Sequence, residues 1–226
     1  MTNLIRIIII LIMTSLLSSC LTVEQARKKR VENVPVNQRS YMIGKYIVTC
    51  EPDKDECNQG FNSLSVKYRS KENPEYTNRI DSVYGSSIFG DDTKVDFVSI
   101  KKQEKGFYFC QSMKPGTYSL YSYEFYNFAG GGSGYYIRDD KQFDLPFSLG
   151  AGEAVYIGNL KLTTTKGENF FGAEVSGPGI LIISEGDKHD IEMAIKKCSV
   201  NIHSQSVKIQ LPEAKDGKKT SLVIYK

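Results

Sequence analysis

The side chains that could do chemistry are few. There are two histidines, His189 and His203. Hydrolysis or acyl transfer needs a nucleophile beside a base that a third group orients. His189 falls on the polar side of a helical pattern, and His203 sits in the serine-rich stretch Ser199 to Ser206. Neither lies in a nucleophile motif. A zinc centre needs thiolates or imidazoles at short spacing, and no C-x2-C occurs. Asp53-Lys54-Asp55-Glu56 and Asp91-Asp92 lack the ordered spacing and glycine of a calcium loop. Ala129-Gly130-Gly131-Gly132-Ser133-Gly134 leads into Tyr135-Tyr136-Ile137, not into the Lys-Ser/Thr pair and helix of a phosphate loop. The expectation is no catalytic, cofactor or metal site: not an enzyme.

The first twenty residues carry more. Arg6 is the only charge before Glu24, and the apolar run Ile7 to Met13 follows it, then Thr14, Ser15, Leu16 and Leu17. A positive start, a short apolar core and small residues before a cut form a secretory signal. The run is too short for a span, which needs about 20 apolar residues. Leu17-Ser18-Ser19-Cys20 resembles the lipobox of bacterial lipoproteins. That resemblance implies removal of residues 1–19 and acylation at Cys20. Two or three acyl chains hold a protein to a bilayer essentially permanently. Leu21 follows Cys20, which implies the outer membrane, on its periplasmic or surface face, in a diderm cell and the plasma membrane in a monoderm.

Four cysteines remain: Cys50, Cys57, Cys110 and Cys198. An even number in an exported chain favours disulfides, with three possible pairings. Cys50–Cys57, closing a short polar loop, is the preferred pair, and Cys110–Cys198 then follows by elimination. Four buried thiols are the alternative.

Of 29 Lys and Arg only Arg6 precedes Cys20, so the mature chain is nearly balanced against its 26 Asp and Glu. A nucleic-acid binder would need a concentrated basic face. Residues 20–40 read as the lipidated cysteine and a tether, in which Arg27-Lys28-Lys29-Arg30 could touch anionic headgroups. Residues 41–226 read as a single domain.

In that domain the core is carried by Tyr, Phe, Val and Ile, a strand-forming set. Strands are expected at 41–50, 61–69, 95–100 with 106–110, from Tyr118 onward, and at 143–149, 154–162, 179–184, 207–211 and 222–225. Leu64, Val66 and Tyr68 alternate with Ser65, Lys67 and Arg69. Pro115-Gly116 suits the middle of a type II turn. One helix is expected at 187–197, capped by Asp187, with Ile191, Ile195 and Cys198 on one face.

The order Pro115-Gly116-x-Tyr118, then Phe143 to Leu149, Gly152-Glu153 and Val155-Tyr156-Ile157-Gly158-x-Leu160 resembles a diffuse group of bacterial lipoproteins. These carry a transthyretin-like or carboxypeptidase-regulatory-like β-sandwich. The resemblance covers residues 106–162 well and 41–69 loosely. It implies a mainly β, antiparallel sandwich with one short C-terminal helix, and no catalytic residue to transfer.

The expected role is a non-catalytic binding or structural domain held at a membrane by its N-terminal lipid, with an envelope protein or cell-wall component as partner. A surface adhesin or host-contact module is the alternative, and a small-ligand-binding or hydrolytic domain a further one. The candidate binding surface is Phe125, Tyr126, Phe128, Tyr135 and Tyr136, since tyrosine gives large amphipathic contact at low entropic cost. The competing expectation is that alternate rings of this set fill the core.

Overall fold

Alternation of apolar side chains along β1 (Ser40–Thr49) feeds two cores at once. Met42, Tyr46 and Val48 point into one, Tyr41 and Ile43 into the other. The computed structural model describes residues 31–52, 57–85, 92–130, 133–138, 143–203, 206–213 and 223–225. The signal, Cys20, the Arg27–Arg30 cluster and the loop from Lys215 to Lys219 lie outside the described residues.

The remaining strands are β2 (Glu51–Pro52), β3 (Cys57–Asn58), β4 (Ser63–Ser70), β5 (Thr77–Val83), β6 (Phe97–Ser99), β7 (Glu104–Met113), β8 (Gly116–Gly130), β9 (Ser133–Ile137), β10 (Leu145–Leu149), β11 (Ala154–Glu168), β12 (Glu174–Ser184), β13 (Val207–Ile209) and β14 (Val223–Tyr225). The helix, α1, covers Lys188–Ile195. Among the described residues the chain forms a sandwich. A seven-stranded sheet runs β14-β12-β11-β1-β7-β6, with β13 beside β11. A five-stranded sheet runs β10-β8-β4-β5, with β9 beside β8. The first sheet is mixed, because β1 with β11, β11 with β13 and β12 with β14 are parallel pairs.

The main core lies between the sheets and is rich in rings: Tyr46, Phe61, Tyr68, Tyr118, Tyr123, Phe125, Phe143 and Phe147. The other face of β1 is covered by α1. Asp187 caps that helix by accepting from the Asp190 amide, and Ile191 and Ile195 pack down with Ala194. Sheet and helix therefore bury β1 from both sides.

A bulge in β11 resolves the spacing of its apolar residues. Val155 and Ile157 face the main core, and so do Leu160 and Leu162, one step out of phase. Gly158, at φ +101, absorbs the step where the register slips between Ile43 and Lys45. The extra residue turns Tyr156 and Asn159 together toward α1.

The Pro115-Gly116 corner carries the chain from β7 in one sheet to β8 in the other rather than folding a hairpin within one. Gly116 takes φ +150, and Glu72 accepts from the Thr117 amide at 2.8 Å.

Candidate functional site

Three cross-sheet hydrogen bonds set how the layers align. Tyr46 Oη donates to the Leu64 carbonyl (2.9 Å), Tyr68 Oη to Gln111 Oε1 (2.5 Å), and Tyr123 Oη to the Gly179 carbonyl (3.0 Å). They place the start of β4 and the far end of β8 level with the end of β1. The chain enters at the opposite pole. There Ser40 Oγ donates to the Gly150 carbonyl, Tyr41 N to the Glu153 carbonyl, and Arg39 Nε to the Val34 carbonyl. Val31, only 4% exposed, already belongs to the packed body.

Two long hairpins project from the far pole. The first is β8–β9. At its base Asn62 N donates to Asn127 Oδ1 (2.8 Å), and Phe128 N donates to Asn62 Oδ1 (2.6 Å). This reciprocal pair clamps the ribbon to β4. Above it Tyr126 and Tyr136 stack at 4.5 Å between ring centroids, and Asn127 Nδ2 donates to the Tyr135 hydroxyl at 3.2 Å. Gly134 is required here, because a Cβ would run into the Tyr126 ring. Tyr135 and Tyr136 are about half exposed, while Tyr126 and Phe128 are partly covered. Phe125 is a correction to the expected surface: it is fully buried against Phe61, with ring centroids 5.0 Å apart. Position 125 faces inward on β8, as Tyr123 does.

The second hairpin is the outer half of β11–β12, where the sequence pattern predicts no strand. Thr165 to Val175 are exposed throughout. At the tip Phe171 N and Ala173 N donate to Asn169 Oδ1 (2.9 and 3.0 Å), and Gly172 takes φ +75. Phe170 and Phe171 stand out at 97% and 88% exposure, edge to face with centroids 5.6 Å apart. A Phe-Phe pair bracketed by Asn169 and Gly172, with no apolar neighbours to pack on, is the signal that could have marked it.

Both cysteine pairs are bridged: Cys50–Cys57, with Cα atoms 4.9 Å apart, and Cys110–Cys198, at 5.1 Å. The first closes the short β2–β3 ribbon at the far pole. The second ties the end of α1 to β7.

The most elaborate polar cluster sits under α1. Asp190 Oδ1 receives Lys45 Nζ (2.8 Å) and Tyr108 Oη (3.1 Å), and Asp190 Oδ2 receives Asn159 Nδ2 (3.1 Å). Tyr156 Oη donates to Asn159 Oδ1 at 2.5 Å. Burial works against the charges, but Lys45 and Asn159 hold the Asp190 carboxyl below the ordinary range, and Asp190 holds the Lys45 ammonium above its own. Every member is paired, and Lys45 also lies over the Phe97 ring at 4.7 Å. The cluster fastens the helix to the sheet and offers no free base or nucleophile.

His189 and His203 are both exposed, on different elements, and among the described residues neither imidazole meets a carboxylate. No group of three His, Cys, Asp or Glu among the described residues is arranged to hold a metal. No helix among them is long and apolar enough to cross a membrane.

No protein-family model matches the chain, and no curated protein matches it. One solved structure does: a Bacteroides fragilis protein provisionally described as a cell adhesion protein. It is 13% identical over 63% of this chain, with a TM-score of 0.23. The matched region spans 45% of that protein's length. A likeness this slight carries no argument about function.

Proposed function

We propose that the protein is an exported lipoprotein whose sandwich works as a non-catalytic binding module at a membrane. The carrying observation is cysteine use. Two disulfides consume four of the five cysteines, which suits an oxidising compartment. The one left over is Cys20, the residue that Leu17-Ser18-Ser19 precedes. An odd cysteine in an exported chain needs another use, and acylation supplies it. The paired state of every group under α1 favours binding over chemistry, and the aromatic rings at the far pole are where binding would fall.

The test is metabolic labelling with a fatty acid. Wild type should incorporate label and fractionate with membrane, and Cys20→Ala should do neither. Label retained in Cys20→Ala, or a wild type free in the medium, would overturn the reading.

A further inference from the structure

The outer β11–β12 arm takes no part in the sandwich. It lies beyond the last pairing of β1 with β11, at Leu162, and of β14 with β12, at Leu181. A two-stranded ribbon exposed on both faces is marginal in water. Here Glu168 also faces Glu174 across the ladder, a like-charge pair that works against it. The turn at its end is nonetheless well bonded and holds Phe170 and Phe171 clear of the body. Rings presented this way are the anchors that fill a pocket on another molecule.

The point where the chain enters and the charge on the arm narrow down what that molecule is. This step rests on the lipoprotein reading proposed for the chain. From Ala154, beside the entry point, to Asn169 at the tip, β11 covers about 50 Å at 3.3 Å per residue. Val31 is buried and Arg39 Nε bonds back to the Val34 carbonyl, so the chain is already tied down at Val31 and residues 20–30 are left to bridge to the bilayer. They span at most about 40 Å. The tip therefore points away from the anchoring membrane and cannot approach it head-on. Lys166 pairs with Glu174 at 3.4 Å, while Glu168 meets no cation among the described residues. The arm keeps one net negative charge beside its rings, which opposes an anionic lipid surface and suits a basic rim.

We propose that the β11–β12 arm docks into a second protein, with Phe170 and Phe171 filling an apolar pocket whose rim carries Lys or Arg opposite Glu168.

The full-length chain, expressed in its own cell type with p-benzoylphenylalanine at position 171, tests this. A control carries the photoprobe at Val36, 57% exposed near the entry pole. The expected result is one discrete protein adduct from position 171 and none from Val36. Its yield should fall at least tenfold with Phe170→Ser and several-fold with Glu168→Lys, while the protease resistance of the domain stays unchanged. Three results overturn the proposal: adducts to lipid alone, no discrete adduct, or an adduct indifferent to both substitutions. Fatty-acid label is scored on the same samples. Labelled protein without an adduct sinks the docking arm alone, whereas unlabelled protein sinks the anchoring reading.

Discussion

Lys45 on β1 and Asp190 on α1, separated by 145 residues in the chain, meet at 2.8 Å beneath the helix. With side chains 18% and 9% exposed, the pair is largely withdrawn from water. Its worth lies less in attraction than in what happens when one partner is lost. Removing the carboxylate strands an ammonium, an amide and a tyrosine hydroxyl in a site that water reaches poorly.

Asp190→Ala should therefore cost about 3 kcal/mol, toward the lower end for a broken buried pair because Lys45 keeps some solvent. A urea midpoint with an unchanged slope reads this directly. A cost under about 0.5 kcal/mol would mean the cluster is ornamental. The effect should also depend on pH. The folded Asp190 pKa lies below its unfolded value of about 3.9, so its contribution is present above that and fades as pH falls through the folded value. Lys45 is raised, so its share is present below about pH 10.4 and fades as pH rises through its folded value. The gap between wild type and Asp190→Ala should stay flat between these limits and narrow outside both.

The two disulfides should differ in worth. Cys110–Cys198 closes a loop with a separation of 88 residues and Cys50–Cys57 one of 7. Loop-closure entropy gives about 4.5 kcal/mol for the long loop and about 2.5 for the short one. Cys110→Ser with Cys198→Ser should lower the denaturation midpoint well beyond Cys50→Ser with Cys57→Ser. Equal losses would show that the helix end is held by packing and Lys45–Asp190, not by the bridge.

The sequence was readable where one face of a strand is apolar and the other polar, as in Leu64, Val66 and Tyr68 of β4, and where a cap announces a helix, as Asp187 does. It was unreadable where an element is buried little. β5 has the polar run Thr77-Asn78-Arg79 and one fully buried side chain of any size, Ile80, so nothing distinguishes it from a loop. The β11–β12 arm fails the same test, being exposed on both faces. Asp190 was visible only as an acid in a first helical turn, because its partner Lys45 is remote in sequence. Of the five aromatic residues expected at the surface, Phe125 went inward because strand alternation on β8 puts 123 and 125 on one face. The half-exposed Tyr135 and Tyr136 sit past the point where the opposite sheet covers them.

Gly158 gives a sharp backbone test. Its φ of +101 suits no L side chain, and a Cβ there would lie 2.7 Å from Leu211 and 2.8 Å from the Ser184 carbonyl. Gly158→Ala should cost about 2–3 kcal/mol, from backbone strain plus displaced packing. If the bulge is what sets the phase of β11, the loss should come with weaker protection of the Leu160 and Leu162 amides from hydrogen exchange. An alanine tolerated without loss would mean the bulge can migrate.

Lys105 should be the reverse case, a side chain whose removal helps. It is 5% exposed on β7, opposite Val48 and Val98, with its ammonium 4.0 Å from the Tyr84 ring centroid. Burial lowers its pKa, and Asp92 offsets this only in part. The folded state therefore holds the proton less well than the unfolded chain, so wild type gains stability as pH climbs from the folded value toward about 10.4. Lys105→Met keeps the volume and removes the buried charge, at the loss of a cation–π contact worth about 0.5–1 kcal/mol. The balance should favour methionine by about 1 kcal/mol at neutral pH. That advantage should shrink as pH rises through the lowered folded value, where the wild-type lysine sheds its charge. Urea midpoints at pH 7 and pH 10 measure both halves, and a variant less stable than wild type at pH 7 would show that Tyr84 and Asp92 more than compensate the burial.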